Sequence, residues 1–145
     1  MSLKNKQTES KELLAKYWIS GKKFHTNTFS FIKKYQNKII VIKYGGYALT
    51  KPALLKSFAK NISLLNQLGI KVIVVHGGGP QIEKELKKRK INNEEYQGLR
   101  VTTKSVLGVE KRILSHDLNK LISDEIKKNG GKTKRLNGVS TKVLK

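Results

Sequence analysis

The sequence predicts an α/β protein with parallel strands. Three observations carry that expectation: two continuous β-branched runs, KIIVIK at Lys38–Lys43 and IKVIVVH at Ile70–His76; a strongly periodic helical segment between them; and a glycine-rich turn after each run. A strand, a helix and a strand within about 40 residues make a βαβ unit, whose strands must be parallel and whose crossover is right-handed in nearly all cases. Continuous apolar runs of this type belong to strands covered on both faces.

Taken in order, residues 1 to 11 are polar and expected to fray. Leu13, Leu14, Tyr17 and Trp18 fall at helical spacing and predict a short amphipathic helix interrupted near Gly21; Phe29, Ile32 and Tyr35 mark one face of a second. The first strand stops at YGGY, Tyr44–Tyr47. Leu54, Leu55, Phe58, Ile62, Leu65 and Leu68 then recur at intervals of three and four, with Thr50 or Lys51 as cap and Gly69 as stop. After the second strand, Pro80 sits where the first turn of another helix begins, Ile82 and Leu86 point inward, and KKRK at Lys87–Lys90 suits the negative end of its dipole. Residues 91–103 read as a loop with a short hairpin. Two more helices follow, one carrying Val106, Val109 and Ile113, the other Leu118, Leu121, Ile122 and Ile126, ending at Gly130 and Gly131. KTKRL, Lys132–Leu136, is a weak third strand because lysine and arginine interrupt it.

The 145 residues suit one domain with its own core. Lysine and arginine number 31 against 10 acidic residues, a formal charge of +21 that attracts anions. The cations are mostly lysine, scattered without a block or interleaved exposed aromatics, so a solvated surface is favoured over nucleic-acid binding. The absence of cysteine excludes a disulfide framework, a thiolate zinc site and a cysteine nucleophile. No segment has the apolar run of a signal peptide or a membrane span, and the expectation is a soluble, cytoplasmic protein without a membrane partner.

The glycines locate the chemistry. Parallel neighbours place KYGG and HGGG on the same edge of the sheet, outside the carboxyl ends of the strands, where ligands of open α/β sheets bind. Glycines let backbone amides face a ligand without Cβ atoms in the way, and the helix starting near Pro80 adds its positive end. Lys43 brings a full charge beside Gly45 and Gly46. Tight turns alone would need one or two glycines; five in two converging loops predict an anion site. Neither a Walker A loop nor a GxGxxG dinucleotide fingerprint is present. HGGG also forms oxyanion holes in some esterases, but that chemistry needs a GxSxG elbow, and Gly138–Lys142 lacks its last glycine.

VIKYGG, VVHGGGPQI and GLRVTT together resemble the N-acetylglutamate kinases of the amino-acid kinase family, collinearly from about Phe29 to Gly138. The resemblance implies an αβα sandwich on a mainly parallel sheet, here the N-terminal substrate-binding lobe, and transfer of the γ-phosphoryl of ATP, with Mg2+, to the side-chain carboxylate of N-acetyl-L-glutamate in arginine biosynthesis. It implies that Lys43 stabilises the transferring phosphoryl, that Gly45 and Gly46 hold phosphate oxygens, that Gly78 and Gly79 touch acetylglutamate and phosphoryl, and that Arg100 grips the α-carboxylate. His76, as a strand-end residue orienting the glycine loop, and Asn119 are read as structural. GLRVT favours acetylglutamate over the substrates of aspartate, glutamate and carbamate kinases, which share the fold.

The same resemblance divides the chain into an N-terminal extension, 1–27, whose Tyr17, Trp18 and Ile19 would face a partner in a homo-oligomer and which in related proteins goes with arginine inhibition; a lobe, 28–138; and a divergent basic tail, 139–145. The family's later Asn and Asp strand motif, second catalytic lysine and ATP lobe have no counterpart. Lys134 and Arg135 stand where the family has small and apolar residues, which predicts that this strand is displaced or exposed; Ser140–Lys145 replaces a glycine-rich continuation, and Thr103 a frequent aspartate. Two readings stay open: the substrate-binding half of an acetylglutamate kinase, or a non-catalytic module that binds anions or forms oligomers, nucleic acid included.

Overall fold

The computed structural model describes residue 12 and residues 28–138. The helix expected around Leu13–Trp18, its partner-facing residues and the tail 139–145 lie outside the described residues. In chain order the elements are α1 (Thr28–Tyr35), β1 (Ile39–Tyr44), a 3-10 turn (Ala48–Thr50), α2 (Pro52–Gln67), β2 (Lys71–His76), α3 (Gly79–Lys88), β3 (Glu95–Tyr96), β4 (Leu99–Arg100), α4 (Lys104–Arg112), a π-helical turn (Ile113–Leu118) and α5 (Asn119–Lys128).

β1 and β2 pair in parallel, in register from Ile39 opposite Lys71 to Tyr44 opposite His76. The α/β class with parallel strands therefore stands. α2 connects them. Pro52 opens it, where a missing N–H costs nothing; Lys51 is the cap residue but makes no side-chain cap bond, and Thr50 Oγ1 donates instead to the Tyr47 carbonyl at 2.7 Å. Gly69 ends the helix at φ +82°, a left-handed conformation that glycine adopts without a Cβ penalty. The hairpin β3–β4 turns through Gln97 and Gly98, both at positive φ, as a two-residue turn of this hand requires.

One core joins the helices to the sheet. Leu55, Ala59 and Ile62 of α2, Ile82 and Leu86 of α3, Val106 and Val109 of α4, Ile113 and Leu118 of the π turn, and Ile122 and Ile126 of α5 are all buried in it. Where α2 meets α5 the residues are small. Ala59 and Ser63 are fully buried, and Ser63 Oγ donates to the Asn129 carbonyl at 2.6 Å across 66 residues of sequence. The apolar stripe read from the sequence ran through Leu54, which is 47% exposed; the inward face is rotated toward the small residues that allow the helices to approach.

Two expectations need correction. The strands are not covered on both faces among the described residues: Ile40, Ile42, Val72 and Val74 face the helices, whereas Ile39, Val41, Ile73 and Val75 are 46–63% exposed. Among the described residues, the helices that share the core lie on one side of a two-stranded sheet. The two expected C-terminal helices are a single helical run from Lys104 to Lys128. Ile113 and Leu118 are five residues apart, a phase jump that reads as a break; a π turn absorbs it and keeps both residues in the core.

Residues 131–137 form no strand, and Lys134 and Arg135 are exposed, the displaced arrangement that their charges predicted.

Candidate anion site

The glycine loops meet at the carboxyl edge of the strand pair. The ladder continues one step past the strands through Gly77 N–H to the Tyr44 carbonyl, 3.1 Å, so both chains leave the sheet together. Gly46 then lies directly against the second loop: a Cβ there would sit 2.8 Å from Gly78 N and 3.1 Å from Gly79 N. Gln81 Nε2 donates to the Gly46 carbonyl at 3.0 Å and ties the loops from the other side.

The second loop is backed by the π turn. A Cβ on Gly78 would meet Leu118 Cδ1 at 2.7 Å and Leu114 Cδ2 at 2.8 Å. By contrast, Gly45 and Gly79 have nothing within 4 Å of the position a Cβ would take, so the space above these two residues is open. α3 begins at Gly79 with Gly78 as cap residue and no side-chain cap bond, which leaves first-turn amides for a ligand. Open space over glycine backbone, beside a helix start, is geometry that suits a phosphoryl or carboxylate group.

The structure brings Gly46, Gly78 and Gly79 together, with Gly45 adjoining. Lys43 stands opposite Val75 on the open face of β1, exposed and without an ion pair among the described residues. Arg100 is placed by the hairpin against the flanks of two helices. Its Nη1 lies 3.5 Å from Glu110 Oε1 of α4, its charge lowers the pKa of Glu83 on α3 after the larger effects of Lys87, and its Nε is buried without a hydrogen-bond partner among the described residues. Among the described residues the guanidinium is thus held by one long ion pair.

His76 Nδ1 is 3.3 Å from the carbonyl of Gly77 in the loop itself. Asn119 Nδ2 donates to the Leu136 carbonyl at 3.2 Å. Thr103 caps α4, its Oγ1 accepting from Val106 N–H at 3.3 Å. Among the described residues no group of three or more His, Cys, Asp or Glu could hold a metal ion. The sequence reading missed Gln81 and the leucines of the π turn. The signal for the second was the five-residue interval from Ile113 to Leu118; for Gln81 there was none short of the folded loops.

A parallel α/β unit whose adjacent strands end in apposed glycine loops at a helix start defines a class of anion-binding proteins, among them those that handle phosphoryl groups. Residues 38–145 match the model of the amino acid kinase family, and the chain belongs to that family. It is similar to the acetylglutamate kinase of Lawsonia intracellularis, 45% identical over 108 residues that cover 74% of this chain and 36% of that protein. It is also similar to those of Citrifermentans bemidjiense, 44% identical over 79% of this chain and 39% of the relative, and Psychrobacter arcticus, 40% identical over 82% and 39%. The chain thus spans less than two-fifths of the length of these relatives. Among solved structures, the N-acetylglutamate synthase of Neisseria gonorrhoeae complexed with coenzyme A and L-arginine superposes with a TM-score of 0.54 at 20% identity, over 77% of this chain and 25% of that one, and supports the fold.

Proposed function

We propose that the chain is the N-acetyl-L-glutamate-binding part of an acetylglutamate kinase. The observation that carries this reading is the 40–45% identity to relatives of that name over the stretch that contains both glycine loops and Arg100. In this reading Gly78 and Gly79 contact acetylglutamate and Arg100 holds its α-carboxylate with paired N–H donors.

Gly45 and Gly46 hold phosphate oxygens through backbone amides, and the open space over Gly45 leaves room for that approach. Lys43 neutralises charge on the phosphoryl in flight, the main catalytic demand in such transfers. Bound ATP with Mg2+ supplies the γ-phosphoryl group. What this chain's own residues do is position the acceptor carboxylate and stabilise charge beside it. A cytoplasmic setting, a homo-oligomer built on residues 1–27 and a response to arginine belong to the same proposal.

Isothermal titration of N-acetyl-L-glutamate into the purified chain, with and without ATP and magnesium, tests it. Saturable binding that weakens in Arg100→Ala is the expected result. Heat only with polyanions, falling steeply with salt, would overturn it in favour of a polyanion-binding module drawing on the +21 charge.

A further inference from the structure

Gln81 stands where a helix ordinarily spends a side chain on itself. It is the third residue of α3, counted from the cap residue Gly78. A glutamine or glutamate at that position commonly reaches back to accept the N–H of the cap residue, and the positive end of the helix favours the charged member of the pair. Gln81 is used differently. Its Oε1 makes no such bond among the described residues, while its Nε2 crosses to the other glycine loop and donates to the Gly46 carbonyl at 3.0 Å, over 35 positions of sequence. An ionised glutamate has no proton to donate and cannot make that bond.

The two loops are held in different ways. The second is built into the core: Ile82 and Leu86 bury α3, Ile82 N–H bonds the Gly78 carbonyl at 2.9 Å, and Leu114 and Leu118 stand close behind Gly78, leaving it no room to retreat. The first runs from Tyr44 to Leu49, both buried, with Tyr47 between them 71% exposed. Its turn bond, Ala48 N–H to the Gly45 carbonyl at 3.1 Å, shapes it without fastening it to α3. Toward α3 it has a stop and a tether. The stop is the backbone of Gly78 and Gly79, too near Gly46 to admit a Cβ. The tether is Gln81. Because the peptide unit is planar, a carbonyl fixed in direction fixes the whole Gly46–Tyr47 peptide, so this one bond sets both the gap between the loops and the tilt of the first.

We propose that Gln81 is a positioning residue for phosphoryl transfer: acting through Gly46, it holds the loop that receives phosphate oxygens at a set distance from the loop that receives the acceptor carboxylate. The proposal rests on the acetylglutamate kinase reading. Transfer needs the reacting atoms about 3–3.5 Å apart. In that reading each reactant is carried by one of the two loops, so play between the loops becomes play in the reaction distance. Gln81 touches neither reactant. Its loss loosens the first loop and leaves the second in place, so phosphate oxygens lose their aligned amides while acetylglutamate keeps its contacts.

The test titrates inorganic pyrophosphate into the full chain and follows the amide resonances of Gly45 and Gly46, so that anion adhering elsewhere on the +21 surface is not counted; N-acetyl-L-glutamate is titrated separately by calorimetry. Gln81→Met keeps the length of the side chain and has no N–H to donate. It should bind pyrophosphate about tenfold more weakly and acetylglutamate within about twofold of the unsubstituted chain, and its Gly45 and Gly46 amides should exchange faster. Gln81→Glu should bind pyrophosphate weakly at about pH 8 and approach the unsubstituted chain as the pH falls to about 5, because a protonated carboxyl, favoured by the carbonyl it faces, donates in place of the amide. His76 lies against the loops in both proteins, so the ratio of the two affinities is read at each pH. Pyrophosphate affinity unchanged in Gln81→Met overturns the proposal, as does a Gln81→Glu deficit that persists at the lower pH. Equal loss of both ligands in Gln81→Met, with a lowered melting temperature, overturns it too and makes Gln81 a packing residue. No acetylglutamate binding in any of the chains, with the pyrophosphate pattern as expected, would overturn the substrate reading while the tether stands.

Discussion

Gly46 and Gly78 are packed backbone to backbone: a Cβ on Gly46 would lie 2.8 Å from the nitrogen of Gly78. Side-chain ends can rotate away from such an intrusion, but a peptide nitrogen at the start of α3 moves only with its loop. Gly46→Ala should therefore separate the two loops, costing about 1–3 kcal/mol in stability and lowering acetylglutamate affinity with it. Gly45→Ala is the control: it meets open space, and its stability should change by no more than about 0.5 kcal/mol. Urea unfolding of both variants, beside calorimetric titration, checks the pair.

Arg100 separates recognition from stability. Its ion pair with Glu110 is long, 3.5 Å, and removing it should cost no more than about 1 kcal/mol of folding. If the guanidinium grips the α-carboxylate, Arg100→Ala should weaken acetylglutamate binding by about 10–100-fold. Arg100→Lys should recover only part of that, since an ammonium cannot reproduce the planar pair of donors. Affinity unchanged in both variants would assign the residue to the hairpin alone.

Ser63 tests the seam between α2 and α5. Its hydroxyl donates to the Asn129 carbonyl, which also accepts from Gln67 Nε2 at 3.3 Å. Because the carbonyl keeps one partner, Ser63→Ala should cost about 1 kcal/mol, the low end for a buried hydrogen bond. Ser63→Val adds bulk at a fully buried position and should cost more, about 1–3 kcal/mol. Thermal and urea unfolding report both.

The response to pH has a sign on each side. Glu83, Glu85 and Asp124 are held below the ordinary carboxylate range, chiefly by hydrogen bonds from Lys87, Arg89 and Lys120. Folded values below unfolded ones mean that their contribution is complete above the unfolded range and is lost as pH falls through the folded values. All three groups are on the surface, so molar salt should shrink this acid limb. Tyr44 behaves oppositely: burial against Phe58 raises its pKa, so its contribution is complete below the ordinary tyrosine value and is lost as pH rises through the raised one. Urea midpoints against pH should fall at both ends, and Tyr44→Phe should remove the alkaline limb. The phenol oxygen is buried without a partner among the described residues, so that variant should fold at least as stably at neutral pH.

Much of the site could be read from local chemistry. A strand ending in two glycines, a second ending in three, and a proline at a helix start leave the backbone few alternatives, and parallel pairing then places both loops on one edge. The glycine stop at Gly69 and the charges that expose residues 134 and 135 are equally local. What could not be read was which residues meet. Gln81 clamps Gly46 across 35 positions of sequence, and Leu114 and Leu118 support Gly78 only because the π turn brings them round.

The sequence by itself determined the parallel α/β unit, the glycine loops at one edge of the strand pair and the family, because these depend on backbone constraints and side-chain period within short windows. Tertiary structure alone decided three things. It rotated the inner face of α2 toward Ala59 and Ser63, because helix approach selects volume and not hydrophobicity alone. Among the described residues it covered only one face of the strand pair, because coverage depends on where distant segments pack. It also turned an apparent helix break into a π turn, because keeping Ile113 and Leu118 in one core outweighs the less favourable hydrogen bonding of that turn.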